Sequence, residues 1–377
     1  MIIPDIQLHA ERHGAPGWLI GAILASTFAV QLLISPFWGR VSDRVGRKPI
    51  LLICSGFSAL GMLVYGLSHG ILLLILSRLL SGLGGANVAI AQAIVADGTT
   101  PEERTTSMGK IGAAITTGLI GGPVIGGFIG AGLGSQWVGF IAAASSGLGL
   151  VLIWLTLPKI EPKAGERQTK NMLFDLRLLR SFPQVRALVI VSCVAWFALA
   201  TLEGTFGRLI KATLNFSQWH FGVVFGYESL IGFLVQAYFI AWLSKRVKDG
   251  PMIRGAYLLQ GIGLGLTPFT YLFPIPSLWF AVLLGCSLFY AVGQGLASPT
   301  INSLCSKLTP EDRQGELFGL LQGARSIGFI VGPLIGGAMF DWWAASPYLL
   351  AGCVCALAAF LVKSPGELGS TAQTDLA

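Results

Sequence analysis

Gly39-Arg40-Val41-Ser42-Asp43-Arg44-Val45-Gly46-Arg47-Lys48 places four cations, one acid and two glycines between two long apolar runs. Two membrane-crossing helices must be joined in water, and a connection this short and this basic belongs on the cytoplasmic side. Its glycines permit a tight reversal. Asp43 is suited to accept backbone N–H bonds at a nearby helix start, where an anion is favoured. On charge alone the stretch need be no more than an anchor of membrane topology. The order of its residues says more once the flanking chain is read.

Of the 377 residues, 53% are hydrophobic and 11% charged, with a mean hydropathy of +0.71. Soluble domains carry about a quarter charged residues, so this is an all-α integral membrane protein whose apolar runs are each long enough to cross roughly 30 Å of hydrocarbon. Fifty glycines suit close helix approach in lipid. The net charge of +7 does not point to nucleic acid, because the cations fall in short loops between apolar runs. Cys54, Cys193, Cys286, Cys305, Cys353 and Cys355 lie in or at the ends of apolar segments. They read as packing residues, with neither a disulfide framework nor a zinc site. No cleavable signal-peptide pattern is evident.

The order Gly-x-x-x-Asp-Arg-x-Gly-Arg-Lys resembles the signature loop between helices 2 and 3 of the major facilitator superfamily of transporters. Numbered as that family implies, helices 2 to 6 fall at about 17–38, 49–69, 71–97, 106–132 and 136–158. Helices 7 to 12 fall at about 186–208, 219–244, 251–273, 277–305, 315–340 and 343–362. Met1 to Leu8 is apolar but too short to span, and its Ile-Pro resembles the close of the family's first helix. The chain is therefore expected to begin near the end of helix 1, leaving about eleven complete spans. The expected division is an N-terminal half over 1–158, a cytoplasmic central loop over 159–185, a C-terminal half over 186–362 and a cytoplasmic tail over 363–377.

Charge placement fits that topology. Twenty of the 25 Lys and Arg residues fall in the loops on the Gly39–Lys48 side; Arg12, Arg208 and Lys211 fall on the other, and Arg78 and Arg325 lie inside helices. Such asymmetry orients a membrane protein with the central loop and C-terminus inside. The halves also repeat. Thr100-Pro-Glu-Glu-Arg104 recurs as Thr309-Pro-Glu-Asp-Arg313, and Gly122-Pro-Val-Ile-Gly-Gly127 as Gly332-Pro-Leu-Ile-Gly-Gly337, at offsets of 209 and 210. Parallel repeats of this kind characterise the two six-helix halves of the major facilitator fold, whose substrate site lies near the bilayer midplane.

The family resemblance implies that Gly39, Asp43, Arg44, Gly46, Arg47 and Lys48 form a gating motif on the cytoplasmic side. Asp43 and Arg44 take the gating roles, Asp97 is the partner acid, and Arg47 and Lys48 serve mainly as topology determinants. The equivalent Lys245-Arg-Val-Lys-Asp-Gly250 keeps the charge without the glycine spacing. Arg78 in Leu76–Gly85 resembles the family's helix-4 arginine linked to proton transfer. A buried arginine needs a cavity or a partner, and Asp5, at comparable depth, is a candidate for pairing with it. Gly118-Leu-Ile-Gly-Gly-Pro-Val-Ile-Gly-Gly127 resembles the antiporter motif of exporters, with Gly118, Gly122, Pro123, Gly126 and Gly127 giving a thin, kinked helix. The copy over Gly328–Gly337 reads as the weaker version.

In the C-terminal half Glu203, Glu228 and Arg325 are candidate intramembrane charges for proton coupling or substrate binding, and Glu203-Gly-Thr-Phe206 resembles a segment of drug:proton antiporters. Asn87, Gln92, Gln236 and Gln294 either line a cavity or bridge helices. His9, His13, His69 and His220 have no metal-ligand spacing, and no Walker loop occurs, so neither an enzyme nor an ATP-driven pump is expected. The resemblance implies a proton-coupled antiporter of the multidrug and tetracycline-efflux branch, working as a monomer in the cell membrane without a cofactor. It would export small amphipathic organic compounds by alternating access. Two alternatives stay open: a proton symporter or facilitator for a sugar or organic acid, and a transport-inactive truncated membrane protein.

Overall fold

Backbone polar groups have no water to bond in hydrocarbon, so spans of this kind close their hydrogen bonds within helices. The computed structural model describes residues 2–98, 101–158, 180, 182–216, 218–309 and 314–362, and every regular element among them is helical. Most of the expected central loop, the tail over 363–377 and most of Thr309–Arg313 lie outside the described residues. The chain divides into two compact units, Met1–Lys170 with Phe216–Val223, and Asn171–Asn215 with Val224–Ala377.

The first unit contains α1 (Ile3–Arg12), α2 (Gly17–Val45), α3 (Arg47–Gly66), α4 (Ile71–Leu83), α5 (Asn87–Gly98), α6 (Pro101–Gly132) and α7 (Ser135–Thr156). After these come α8 (Pro183–Leu214), α9 (Gln218–Leu234), a π-helical stretch (Val235–Phe239) and α10 (Ile240–Leu243). The remaining helices are α11 (Asp249–Leu266), α12 (Trp279–Lys307), α13 (Gln314–Trp342) and α14 (Ser346–Leu361). Among the described residues, eight helices are long and apolar enough to cross a membrane. The segments expected to span over 106–132, 251–273 and 343–362 are helical, as α6, α11 and α14, and are not among those eight. Of these, α11 passes into a 3₁₀ stretch at Thr267–Leu272, and α14 has only 16 residues.

One local expectation is corrected. The stretch over 39–48 is not a loop: α2 continues to Val45 and α3 restarts at Arg47, so the reversal is confined to Gly46. Its φ of +106° lies where an L side chain clashes with its own backbone, which is why one glycine suffices. The expected helix 4 is present as one span over Ile71–Val95, with a turn inside it. The turn lies between Leu83 and Asn87, where a methyl on Gly84 would meet the Cys54 carbonyl at 2.5 Å.

Large apolar side chains face outward in both units, among them Leu72 at 78%, Phe360 at 78% and Trp342 at 82% exposure. A water-facing patch of that extent marks an interaction surface; here it faces lipid. Inside each unit, small residues set the helix spacing. In the first unit α3 and α7 touch at Gly66 and Gly139, where an added methyl has no room. In the second, α13 packs along α8 through Gly328, Gly332 and Gly336 at four-residue spacing. A methyl on Gly328 would sit 2.7 Å from the Phe197 nitrogen, and one on Gly332 2.8 Å from the Phe197 carbonyl. Gly118, in the motif read as the stronger copy, has nothing within 4 Å. Further along that motif the backbone packs closely against Gly222, where a methyl would meet the Gly127 Cα at 3.2 Å.

Gly328→Ala and Gly332→Ala each force a methyl onto the α8 backbone and are expected to cost about 1–3 kcal/mol, the usual range for overpacking. Gly118→Ala is expected to leave stability unchanged. Thermal unfolding of the three variants in detergent checks this.

Candidate functional site

The signature stretch becomes a corner between helices. Arg47 Nη1 donates to Ser42 Oγ at 2.8 Å, closing the two sides of the Gly46 break, while Ser42 Oγ donates to the Gly39 carbonyl at 2.7 Å. Lys48 Nζ reaches the Trp154 carbonyl at 2.9 Å and also the Leu157 carbonyl, at the end of α7. A cation there satisfies carbonyls that the helix leaves open and opposes its dipole. Trp38 Nε1 donates to the Leu83 carbonyl at 2.9 Å, tying α2 to the end of α4. Arg44 is exposed. The side chains of Asp43 and Asp97 lie outside the described ones. Arg47 and Lys48, read from sequence mainly as topology determinants, thus make the contacts that hold this corner.

At the other end of the first unit, Asp5 is fully buried and accepts from Tyr65 Oη at 2.7 Å and Ser135 Oγ at 2.7 Å. One carboxylate therefore joins α1, α3 and α7. Arg12 Nη1 also reaches Ser135 Oγ, at 3.4 Å. His9 Nε2 and Ser68 Oγ are 3.2 Å apart, and Ser68 Oγ donates to the Tyr65 carbonyl at 2.6 Å.

The direct Asp5–Arg78 pair expected from sequence is corrected. Arg78 donates to Ser77 Oγ at 3.3 Å and reaches Met62 Sδ at 3.9 Å, and its Cζ lies 5.4 Å from the Tyr65 ring centroid. Tyr65 thus stands in contact with both, its hydroxyl on the acid and its ring beside the cation. Neither Tyr65 nor Ser135 was singled out from sequence. A lone tyrosine near the end of an apolar span was the available signal.

In the second unit the candidates fall into one polar group. Arg325 on α13 lies 4.5 Å from the Trp196 ring centroid and 5.7 Å from that of Phe329. A guanidinium held over aromatic faces is attracted to their negative faces, and Glu203 on α8 supplies the opposing charge. Glu228 on α9 faces the buried Ser287 of α12 and feels the charge of Glu203. Close by, the Tyr290 hydroxyl and Gln260 Oε1 are buried without a hydrogen-bond partner among the described residues. Gln260 Nε2 donates to Gln294 Oε1 at 2.7 Å, so Gln294 bridges α11 and α12. Asn87 likewise bridges, donating to Ser58 Oγ at 3.1 Å across to α3. Gln92 and Gln236 are exposed. Arg208, read as an outer-loop cation, pairs with Asp341 at 2.8 Å and joins the ends of α8 and α13. Gly122, Pro123, Gly126 and Gly127 lie within α6, with Pro123 inside the helix. No group of His, Cys, Asp and Glu suited to a metal occurs among the described residues.

The family model described as "Major Facilitator Superfamily" matches residues 1–328 and 261–375. Multidrug resistance protein 1 of Bacillus subtilis (strain 168) is 28% identical over 98% of this chain and 93% of its own. The class D tetracycline resistance protein of Salmonella ordonez is 28% identical over 85% of this chain and 79% of its own. Among solved structures, the nucleoside transporter NupG aligns with a TM-score of 0.77 at 16% identity, covering 95% of this chain and 94% of that one. The chain belongs to the Major Facilitator Superfamily, and it is a multi-pass membrane transporter rather than an enzyme.

Tyr65→Phe removes one hydroxyl donor from the buried Asp5 carboxylate and keeps the ring beside Arg78. Leaving a buried acceptor one bond short costs about 1–3 kcal/mol, so a lower unfolding midpoint is expected. Ser68→Ala, which touches Asp5 only through Tyr65, is expected to lower it less.

Proposed function

We propose that this transporter exports small amphipathic organic compounds, drugs among them, in exchange for protons. The observation that carries the reading is the pair of intramembrane carboxylates in the second unit, Glu203 beside Arg325 and Glu228 facing Ser287. Charged residues inside a membrane are costly and face cavities, partners or proton paths. A carboxylate that takes up a proton from one side and releases it to the other can couple the gradient to a change of access. Drug resistance in the names of the curated relatives supports the choice of substrate.

In this reading the halves rock about a site near the midplane, the loops rich in Lys and Arg face the cytoplasm, and the protein works as a monomer in the plasma membrane. The proton gradient is the energy source and no cofactor is needed. Asp5, tied to Tyr65, and Arg78, beside the same ring, form a second place where protonation would alter helix contacts in the first unit. Arg78 has no carboxylate partner among the described residues. That favours, as a second reading, uptake of an anionic metabolite.

Inverted vesicles acidified inside, carrying the protein, test the proposal. Adding a cationic or neutral drug is expected to dissipate the pH gradient, and Glu228→Gln is expected to reduce that response about a hundredfold or more, the range for losing a positioned proton-transfer group. A full response from both Glu203→Gln and Glu228→Gln would remove the carboxylates from the coupling.

A further inference from the structure

The transport reading gives one group of cations in the second unit no task beyond membrane topology. Lys245, Arg246 and Lys248 lie between α10 and α11, and all three are exposed. Among the described residues Lys245 and Lys248 have no anionic partner, whereas Lys307 nearby is paired with Asp249 at 2.8 Å. The Arg246 guanidinium instead lies 4.0 Å from the Trp242 ring centroid. Just before it the chain runs through the π-helical stretch Val235–Phe239. Such a turn carries an extra residue within the helix and recurs at functional positions. Around it Tyr238, Phe239 and Trp242 are 70%, 41% and 48% exposed, and the Phe239 and Trp242 rings stack with centroids 5.4 Å apart.

Beside these side chains is a cleft of about 280 Å³ lined by residues from three helix ends, including Ile240, Ser244, Met252, Ser303 and Lys307. Drug-sized pockets run from about 300 to 1,000 Å³, so this cleft suits a smaller group. Its one carboxylate, Asp249, is neutralised by Lys307. Exposed cations and an exposed aromatic face therefore lie along the chain on either side of Ser244, which lines a small cleft of mixed polar and apolar character at the end of a membrane-crossing helix.

We propose that this corner binds an anionic phospholipid. Lys245 and Arg246 hold the phosphate, with Lys248 adding to the local positive potential. The rest of the headgroup enters the cleft beside the Ser244 and Ser303 hydroxyls. The acyl chains lie along Tyr238, Phe239 and Trp242. Aromatic rings are favoured at headgroup level, and basic pockets between helices take anionic headgroups. Neither proton coupling nor the direction of transport enters this inference.

The test uses the purified full chain in neutral detergent, with binding read by native mass spectrometry for dioleoylphosphatidylglycerol, dioleoylphosphatidylcholine and inorganic phosphate. Saturable binding of phosphatidylglycerol is expected, weakened about 30-fold by K245Q/R246Q, at about 1 kcal/mol per cation and tenfold per 1.4 kcal/mol. R40Q/R44Q, which removes equal charge from the other basic corner, is expected to change the affinity by no more than about twofold. Trp242→Leu leaves every cation in place and is expected to weaken binding about threefold or more by removing the aromatic contact. Equal losses in the two double variants would reduce the effect to diffuse charge and overturn the site. Equal binding of phosphatidylcholine, or phosphate saturating at the same concentration as the lipid, would overturn it as well.

Discussion

A charge carried into hydrocarbon must bring its partner with it. Leaving one unpaired costs at least a few kcal/mol, more than most single contacts return. That constraint sorts the charges of this chain into three groups. Asp5 is buried and accepts two hydroxyl hydrogen bonds, and Arg208 is paired with Asp341. Arg78 and Arg325 rest beside aromatic rings, the second with Glu203 as its opposing charge. Most remaining cations fall between the apolar runs. Glu228 faces the Ser287 hydroxyl rather than a cation.

Packing obeys a second constraint. Lipid tails are as apolar as leucine, so helices gain little by hiding apolar area from lipid and associate instead through close contact and internal hydrogen bonds. Gly66 against Gly139, and Gly328 with Gly332 against α8, bring backbones within reach of one another. Polar bridges then fix which residues oppose, as Asn87 does between α5 and α3 and Gln294 between α12 and α11. Where a helix must instead turn at once, one residue is enough: Gly46, at φ +106°, reverses the chain between α2 and α3. Arg47 and Lys48 then tie that corner to Ser42 and to the carbonyl end of α7.

Much of this was legible in the chain. Apolar run length marks a span because length and hydropathy are properties of one segment, and the repeat of Gly-Pro-x-Ile-Gly-Gly marks a duplication without any knowledge of packing. Contacts between segments were harder to read. Asp5 and Arg78 are at comparable depth, yet depth says nothing about rotation around each helix axis, and Tyr65 occupies the position between them. The same limit explains Asp341, whose partner Arg208 is 133 residues away. Glycine runs show where helices can approach, not which neighbour lies opposite. For that reason Gly118 and Gly328, at matching places in motifs alike in sequence, differ in contact. The expected loop over 39–48 failed for a local reason: its charged residues are compatible with helix on a water-facing end, and only Gly46 is forced out of it.

The central claim is that an inward proton flux drives solute outward. Inverted vesicles containing the protein, supplied with a radiolabelled cationic drug, measure the direction and the driving force together. The account predicts that the drug accumulates inside only while the lumen is acidic, and leaves when an ionophore collapses the pH gradient. Accumulation that persists after collapse, or drug movement out of the vesicles along with the protons, would contradict it.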